Sequence, residues 1–398
     1  MEELPGEAGG VQPAGAAAME ELPGKVGGIQ QSDTAATEQQ PGAAATERRP
    51  GEAGAQQRPG EAEWVAAVTA LRGLPAGARV LLACHVNPDG DALGSMLGTG
   101  LGLRQIAGEL GIGHLAATFP GPMVLPAPFD TLPGTQLLVA EEDADPAPDA
   151  MLVFDVASIE RLGGLAGRLR AAAVGIVLDH HASNPGFGAI NLVDPAAAAT
   201  SVLADGLLRR LDVRLDAEIA ECLYVALATD TGSFKFASTT PAVHELAARL
   251  IATGIPVGEI SRRVFDTRPV GALRLFGVAL ARTVLEREGA GGLGFAWTYL
   301  TLEDLAAHGQ PPAAVEALID TVRCAAEADV ACVVKPARPG EWSVSLRSKG
   351  GVDVSAVAVA LGGGGHRFAA GFSGAGTVED VIASIRVRLR VASGSISG

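Results

Sequence analysis

Residues 80–95 read Val80-Leu81-Leu82-Ala83-Cys84-His85-Val86-Asn87-Pro88-Asp89-Gly90-Asp91-Ala92-Leu93-Gly94-Ser95, and this stretch decides the fold. Val80 to Cys84 is a short apolar run, the pattern of a buried strand. His85 stands at its end. Asn87, Pro88 and Gly90 are turn formers, and a helix is expected from about Asp91 or Ala92. One imidazole (His85) and two carboxylates (Asp89, Asp91) therefore enter one strand-to-helix turn. In an open α/β sheet that edge is where ligands bind. Two carboxylates this close repel each other unless a proton or a metal lies between them. The neighbouring histidine favours a metal that accepts both nitrogen and oxygen donors. A plainer reading of the same residues is an Asx turn with an N-capping aspartate and a solvated histidine.

Outward from this turn, strand and helix patterns alternate. A helix is expected over 64–71 and another over about 92–110, with a weaker segment to Pro133 and a strand at 136–140. Residues 151–156 form a strong buried strand carrying Asp155, and 175–178 form another that runs into Asp179-His180-His181. Alternation of this kind indicates an α/β fold, a mostly parallel sheet with helices on both faces. Helices over 201–211 and 216–228 follow, the second leading into a turn with Asp230. The spacing then predicts a first α/β domain at 63–240, a helical connector at 241–290 and a smaller C-terminal α/β domain at 291–391. In that last domain, strands are expected near 295–301, 330–335 and 342–347, and helices near 313–326, 354–361 and 378–388.

Composition narrows the function. At 398 residues the chain is long enough for two folded domains and a tail. Aromatics make up only 4%, so the cores must be built from Ala, Val and Leu. A formal charge of −15 argues against duplex DNA binding through a broad basic surface, but leaves room for a small phosphorylated substrate. Cys84, Cys222, Cys324 and Cys332 form no Cys-x-x-Cys pair, and three lie in apolar stretches, which suits a reducing cytoplasm. No basic-then-apolar leader and no apolar run near the ~20 residues of a membrane span is present in the sequence, so no membrane partner is expected. Residues 1–62 repeat Met-Glu-Glu-Leu-Pro-Gly (from Met1 and Met19) and Pro-Gly-Glu-Ala (from Pro5, Pro50 and Pro59), the composition of a disordered low-complexity tail.

Carboxylates and histidines meet at four places. They are the turn of His85, Asp89 and Asp91, then Asp155, then Asp179-His180-His181, and finally Asp230. The first turn, Asp155 and Asp230 are each readily an N-cap or an Asx turn, whereas consecutive histidines beside an aspartate are less common in ordinary loops. Three of the four close buried strands of one expected sheet, so they should emerge on one edge. Four carboxylates (Asp89, Asp91, Asp155, Asp230) would balance two divalent cations, and two imidazoles (His85, His180) complete a donor set suited to manganese, and also to cobalt, iron or zinc. Magnesium seldom takes imidazole nitrogen. Such a pair activates a water and clamps a phosphoryl group from both sides.

Together these motifs resemble the DHH phosphoesterase family, named for the triplet that stands here as Asp179-His180-His181. The resemblance is strongest to the branch with a DHH-associated C-terminal domain, which contains bacterial oligoribonucleases (nanoRNases) and 3′-phosphoadenosine 5′-phosphate phosphatases. It implies that His85, Asp89 and Asp155 hold one manganese. It implies that Asp91, Asp155, His180 and Asp230 hold a second, with magnesium among the substitutes, and with Asp155 bridging. Asp179 would orient its neighbours and His181 would sit near the transferring phosphate. The C-terminal motif matches too: Ser345-Leu346-Arg347-Ser348, then Gly362-Gly363-Gly364-Gly365-His366, then Ala369-Ala370-Gly371. Glycines let a ligand approach the backbone, and Arg347 and His366 can contact phosphate. The resemblance thus implies a substrate grip made of Arg347, Ser348, Gly363, Gly364, Gly365 and His366. One departure is Val202, where some relatives carry an acid. The reaction expected is metal-dependent hydrolysis of short single-stranded RNA, 3′-phosphoadenosine 5′-phosphate, or linear or cyclic di-AMP, in a homodimer. The alternatives are an inorganic pyrophosphatase and a non-catalytic nucleotide sensor.

Overall fold

The computed structural model describes residues 58–394, so nearly all of the low-complexity stretch expected over 1–62 lies outside the described residues. Helix α1 (Glu61–Arg72) begins two residues inside that stretch, and buries Trp64, Ala67 and Leu71. Strand β1 (Ala78–Cys84) follows, and then α2 (Gly90–Gln105), β2 (Ile112–Thr118), β3 (Ala150–Phe154), α3 (Leu165–Ala171), β4 (Val174–Asp179) and β5 (Ile190–Val193). The five strands form one all-parallel sheet in the order β2-β1-β3-β4-β5. Cys84 pairs with Phe154, and Phe154 with Leu178. This register brings the strand ends level, so His85, Asp155 and Asp179 arrive on one edge.

Both faces are covered, as continuous apolar strands require. Leu82, Leu152 and Leu178 face α1, α2, α4 (Thr200–Arg210) and α5 (Ala217–Asp230). Leu81, Met151, Val153 and Val177 face α3 through Leu165 and Leu169. Helices α2 and α5 pack very closely: a Cβ on Gly94 would lie 2.4 Å from the Cys222 carbonyl oxygen. That contact places the first turn of α2, with Asp91, against the last turn of α5, with Asp230.

The segment 241–290 does not form a layer of its own. Val243, Leu246 and Leu250 of α6 (Pro241–Ile251) and Ile260 of α7 (Val257–Phe265) join the first core. Leu275 and Ala279 of α8 (Val270–Ala281) join the core of a second sheet. That sheet contains β6 (Val284–Glu286), β7 (Phe295–Tyr299), β8 (Val330–Arg338), β9 (Glu341–Ser348), β10 (Gly364–His366) and β11 (Ala369–Ala375). Its order is β10-β11-β9-β8-β7-β6, with only β7 and β8 parallel, so it is mixed. One face carries α11 (Val354–Val359) and α12 (Val378–Gly394), through Val357, Ile382 and Ile385. The other carries α8, α9 (Leu302–Ala307) and α10 (Leu318–Val322).

Two expected elements differ. Residues 136–140 are not a strand: single 3-10 turns at Thr135–Leu137 and Glu141–Asp143 flank one bridge, Ala117 to Leu138. The apolar run is too short between the Pro133-Gly134 turn and the following acidic cluster. The single helix expected at 313–326 is instead a 3-10 turn, Pro312–Val315, followed by the short helix α10. Cys84, Cys222 and Cys332 are buried and all four cysteines are free. Among the described residues no helix is long and apolar enough to cross a membrane.

Candidate metal centre

At the carboxyl edge of the first sheet the polypeptide leaves its strands abruptly. Asp155 follows β3 with φ +58° and Asn87 follows β1 with φ +53°, both in the left-handed region. Strained backbone of this kind tends to collect at functional sites. Asp89 caps α2 by accepting hydrogen bonds from the amides of Asp91 and Ala92, both 3.1 Å. The capping role read from the sequence and the site role thus fall on one side chain. His85, Asp91, Asp155, His180 and His181 are all buried.

The donor atoms form two groups around Asp155. Its Oδ2 lies 3.4 Å from His85 Nε2, and that nitrogen is 3.8 Å from Asp89 Oδ2. Its Oδ1 lies 3.5 Å from His180 Nε2, which is 3.6 Å from Asp91 Oδ2 and 3.3 Å from Asp230 Oδ2. These separations are too long for good hydrogen bonds. They suit donors of one small cation, since two ligands bonded at about 2.1 Å stand roughly 3.0–3.4 Å apart.

Tautomer geometry agrees. His85 Nδ1 is 2.8 Å from the Val86 carbonyl oxygen, and His180 Nδ1 is 3.2 Å from that of Ala197. If each Nδ1–H donates to its carbonyl, each Nε2 lone pair faces carboxylates, an arrangement that needs a proton or a cation between them. Without a cation the site is electrostatically frustrated. Burial and the charges of Asp155 and Asp230 push the Asp91 carboxyl well up, and burial with Asp155 and Asp89 does the same to Asp230. Burial opposes ionisation of Asp155 too, but the nearby His85 imidazole and the charges of His181 and His180 outweigh it and hold it down. His85 is drawn down by burial, yet contacts with Asp155 and Asp89 carry it up to about 10. The carboxylates and imidazoles gathered here fit divalent-cation binding, which would relieve the repulsion that pushes Asp91 and Asp230 up.

The triplet works as a unit. Asp179 Oδ1 accepts from the amides of His180 (2.9 Å) and His181 (3.3 Å) and lies 2.7 Å from His181 Nδ1. Its Oδ2 accepts from Asn184 Nδ2 at 2.7 Å. With Nδ1–H donating a hydrogen bond to Asp179, His181 presents Nε2 elsewhere. The ring of His366, from β10, stacks on His181 at 4.2 Å between centroids and lies 4.7 Å from that of His180. The glycine run is thus a strand, with Gly364 and Gly365 paired to Gly371 and Ala370, and Gly363 just before it. Burial and the charges of His181 and His180 press the His366 imidazole down to about 3, so it is neutral at pH 7. Arg347, on β9, is partly buried and feels the charge of Asp230. Ser348 is engaged otherwise: its hydroxyl donates to Asp329 at 2.9 Å and accepts from the Gly350 amide at 3.0 Å.

Sequence reasoning missed the supports. The amide of Thr200, at the start of α4, donates to Asp91 Oδ2 at 2.6 Å, its hydroxyl reaches Asp155 Oδ1 at 3.1 Å, and the Ser201 amide reaches Asp91 Oδ1 at 3.2 Å. Ser95 donates to Asp91 from the next turn of α2, at 2.9 Å. The Arg161 guanidinium, which can only donate, lies 3.0 Å from His85 Nδ1 and competes with the Nδ1–H tautomer rather than supporting it. Backbone amides leave no mark in a sequence. Only the Thr200-Ser201 pair after a run of alanines could have pointed to this helix start.

With this geometry in place, the comparisons with known proteins are direct. Residues 79–227 match the DHH family N-terminal domain and 296–390 match the DHHA1 domain. The chain belongs to the DHH family and is a hydrolase acting on phosphoester bonds. Among named relatives it is similar to the bifunctional oligoribonuclease and PAP phosphatase NrnA of Thermus thermophilus, with 33% identity over 296 residues, 73% of this chain and 83% of that protein. The protein of the same name from Bacillus subtilis is 26% identical over 298 residues, covering 74% and 88%. The fold is that of an exopolyphosphatase-related protein from Bacteroides fragilis, with a TM-score of 0.73 at 22% identity over 85% of this chain and 98% of that one.

Proposed function

We propose that this protein is a metal-dependent phosphoesterase that cleaves short oligoribonucleotides and 3′-phosphoadenosine 5′-phosphate to mononucleotides, with linear and cyclic di-AMP as further candidate substrates. The observation that carries the reading is Asp155, whose two carboxylate oxygens face two separate histidine–carboxylate groups. Likeness to the oligoribonuclease and PAP phosphatase relatives supports the substrate class.

His85, Asp89 and Asp155 would hold one divalent ion, and Asp91, Asp155, His180 and Asp230 the other, manganese being the best match to mixed nitrogen and oxygen donors. Such ions would supply positive charge to phosphate oxygens and acidify a water. The remaining work belongs to the chain. Asp179 fixes the His181 ring, so that Nε2, once protonated, can give its proton to the leaving oxygen. Neutral His366, stacked on that ring, can donate a hydrogen bond to a phosphate oxygen without adding a second positive charge. Arg347 supplies the planar fork that phosphate accepts. In this reading residues 63–240 carry the chemistry and residues 291–391 hold the nucleotide, and closure of one on the other limits substrate length. The free cysteines support a reducing cytoplasm, and the exposed Val270, Leu273 and Leu280 of α8 support a homodimer, which light scattering checks.

A side-by-side manganese assay on 3′-phosphoadenosine 5′-phosphate, linear di-adenylate, cyclic di-AMP, a short RNA and pyrophosphate tests the proposal. Turnover of the bisphosphate or the short RNA to mononucleotides is expected. Turnover of pyrophosphate alone, or of none of them, would overturn it.

A further inference from the structure

Arg323 follows α10 in the second sheet's layer, at the helix C-cap, and has no ion pair among the described residues. Its guanidinium carbon stands 4.6 Å over the ring of Phe236. Phe236 belongs to the other half of the molecule. It sits six residues after Asp230, in a turn where Gly232, Ser233 and Phe234 all have positive φ, at +58°, +59° and +63°. The ring lies so close over Gly232 that a Cβ there would come within 2.3 Å of it. The cation–π contact therefore joins Arg323 to the backbone that delivers Asp230 to the metal centre.

Arg347 lies on the same side of the sheet: it pairs with Ala331 of β8, whose side chain joins the core beneath α10. Burial, and next to it the charge of Arg323, hold the Arg347 guanidinium below its usual range, against the opposing charges of Asp320, Glu316 and Asp230. Among the described residues its guanidinium donates one hydrogen bond, to the Leu346 carbonyl oxygen at 3.0 Å. Glu316 is already bonded to Lys335. Two arginines thus lie on the α10 side of the second sheet, one held against the turn after Asp230 and one feeling the charge of Asp230, and among the described residues neither forms an ion pair. Adjacent like charges are unfavourable until an anion lies between them, and a guanidinium fork matches phosphate oxygens.

We propose that Arg323, held on Phe236 and acting with Arg347, is a specificity-determining residue that seats a second, non-scissile phosphate of the substrate. This rests on the proposed function for the reaction and deepens it: the preferred substrates carry two phosphates on or beside one nucleoside. A purely structural Arg323, one that only helps close the two halves, would affect all substrates alike.

The experiment compares Arg323→Ala with the unaltered full-length protein, in manganese, on adenosine 3′,5′-bisphosphate and on adenosine 3′-monophosphate. The two share the scissile 3′-phosphoester and differ only in the 5′-phosphate. The expected result is a KM on the bisphosphate about tenfold higher with kcat within twofold, and both constants on the monophosphate within twofold. Arg323→Lys should restore part of the loss, because it keeps the charge and not the fork. Calorimetric titration with adenosine 5′-monophosphate, which needs no turnover, should show about tenfold weaker binding to Arg323→Ala. Equal losses on both substrates, or unchanged binding of the 5′-monophosphate, would overturn the seat. Absence of turnover by the unaltered protein, with the binding difference kept, would overturn the proposed reaction and leave the seat standing.

Discussion

Replacing Asp155 by asparagine tests the metal-binding role proposed for this residue separately from any role in folding. Asparagine keeps the shape and tolerates the left-handed backbone at φ +58°. It keeps an oxygen for the Thr200 hydroxyl, now 3.1 Å from Oδ1. It removes the one charge that faces both His85 and His180, at 3.4 and 3.5 Å. In the metal-free protein the loss also removes a repulsion, because Asp155 is among the charges that push Asp91 and Asp230 upward. The contacts with His85, His180 and His181 that hold Asp155 ionised outweigh that repulsion, so the metal-free variant should melt somewhat below the unaltered protein. Manganese at a hundred times its dissociation constant should stabilise the unaltered protein by about 2.7 kcal/mol per site, a shift of a few degrees, and the variant by much less. Hydrolysis should fall about a thousandfold or more, roughly 4 kcal/mol of transition-state stabilisation. Differential scanning fluorimetry with and without manganese, beside an assay of nucleotide release, measures both. A variant that keeps the full manganese shift and more than about a tenth of the activity would refute the reasoning.

Other perturbations follow from single contacts. Asn184→Ala removes the donor 2.7 Å from Asp179 and 3.0 Å from the Val156 carbonyl, and should cost about 1–3 kcal/mol of stability and lower kcat, read by denaturant titration and by kinetics. Gly94→Ala drives a methyl to 2.4 Å from the Cys222 carbonyl; it should cost about 1–3 kcal/mol and, by parting Asp91 from Asp230, weaken manganese binding in calorimetry. The Glu286 carboxylate accepts from Arg386 and Trp297, and although burial opposes ionisation these partners hold its pKa down. A depressed carboxylate stabilises the fold above its unfolded pKa and loses that contribution as pH falls through the folded one. Melting curves of the unaltered protein and Glu286→Gln should thus differ by about 1 kcal/mol near neutrality and converge in acid.

How much of this was legible depended on where the information lay. Strands β1, β3 and β4 were readable because each is an apolar run closed by a histidine or an aspartate, the pattern of a central parallel strand with a polar edge. Edge strands β2 and β5 were not: Ile-Gly-His-Leu-Ala-Ala-Thr is half exposed and Ile-Asn-Leu-Val is four residues long, so neither carries a clear period. Side chains that face one another across the site could be gathered from four motifs, because charge balance limits what buried carboxylates can do. The amides of Thr200 and Ser201 could not, since a main-chain donor has no residue type. Asp230 read as part of a turn and is the last residue of α5, brought to Asp91 by glycine packing that only three dimensions display. Ser348 read as a substrate contact, yet its hydroxyl is spent on Asp329. Arg323 and Phe236, 87 positions apart by their numbers, had no motif to unite them.

The most direct measurement is anomalous diffraction from crystals of the full chain grown with manganese. The account requires two anomalous peaks that flank the Asp155 carboxylate, one against His85 and Asp89, the other against Asp91, His180 and Asp230. A single peak elsewhere, or none at these donors with manganese in excess, would contradict it.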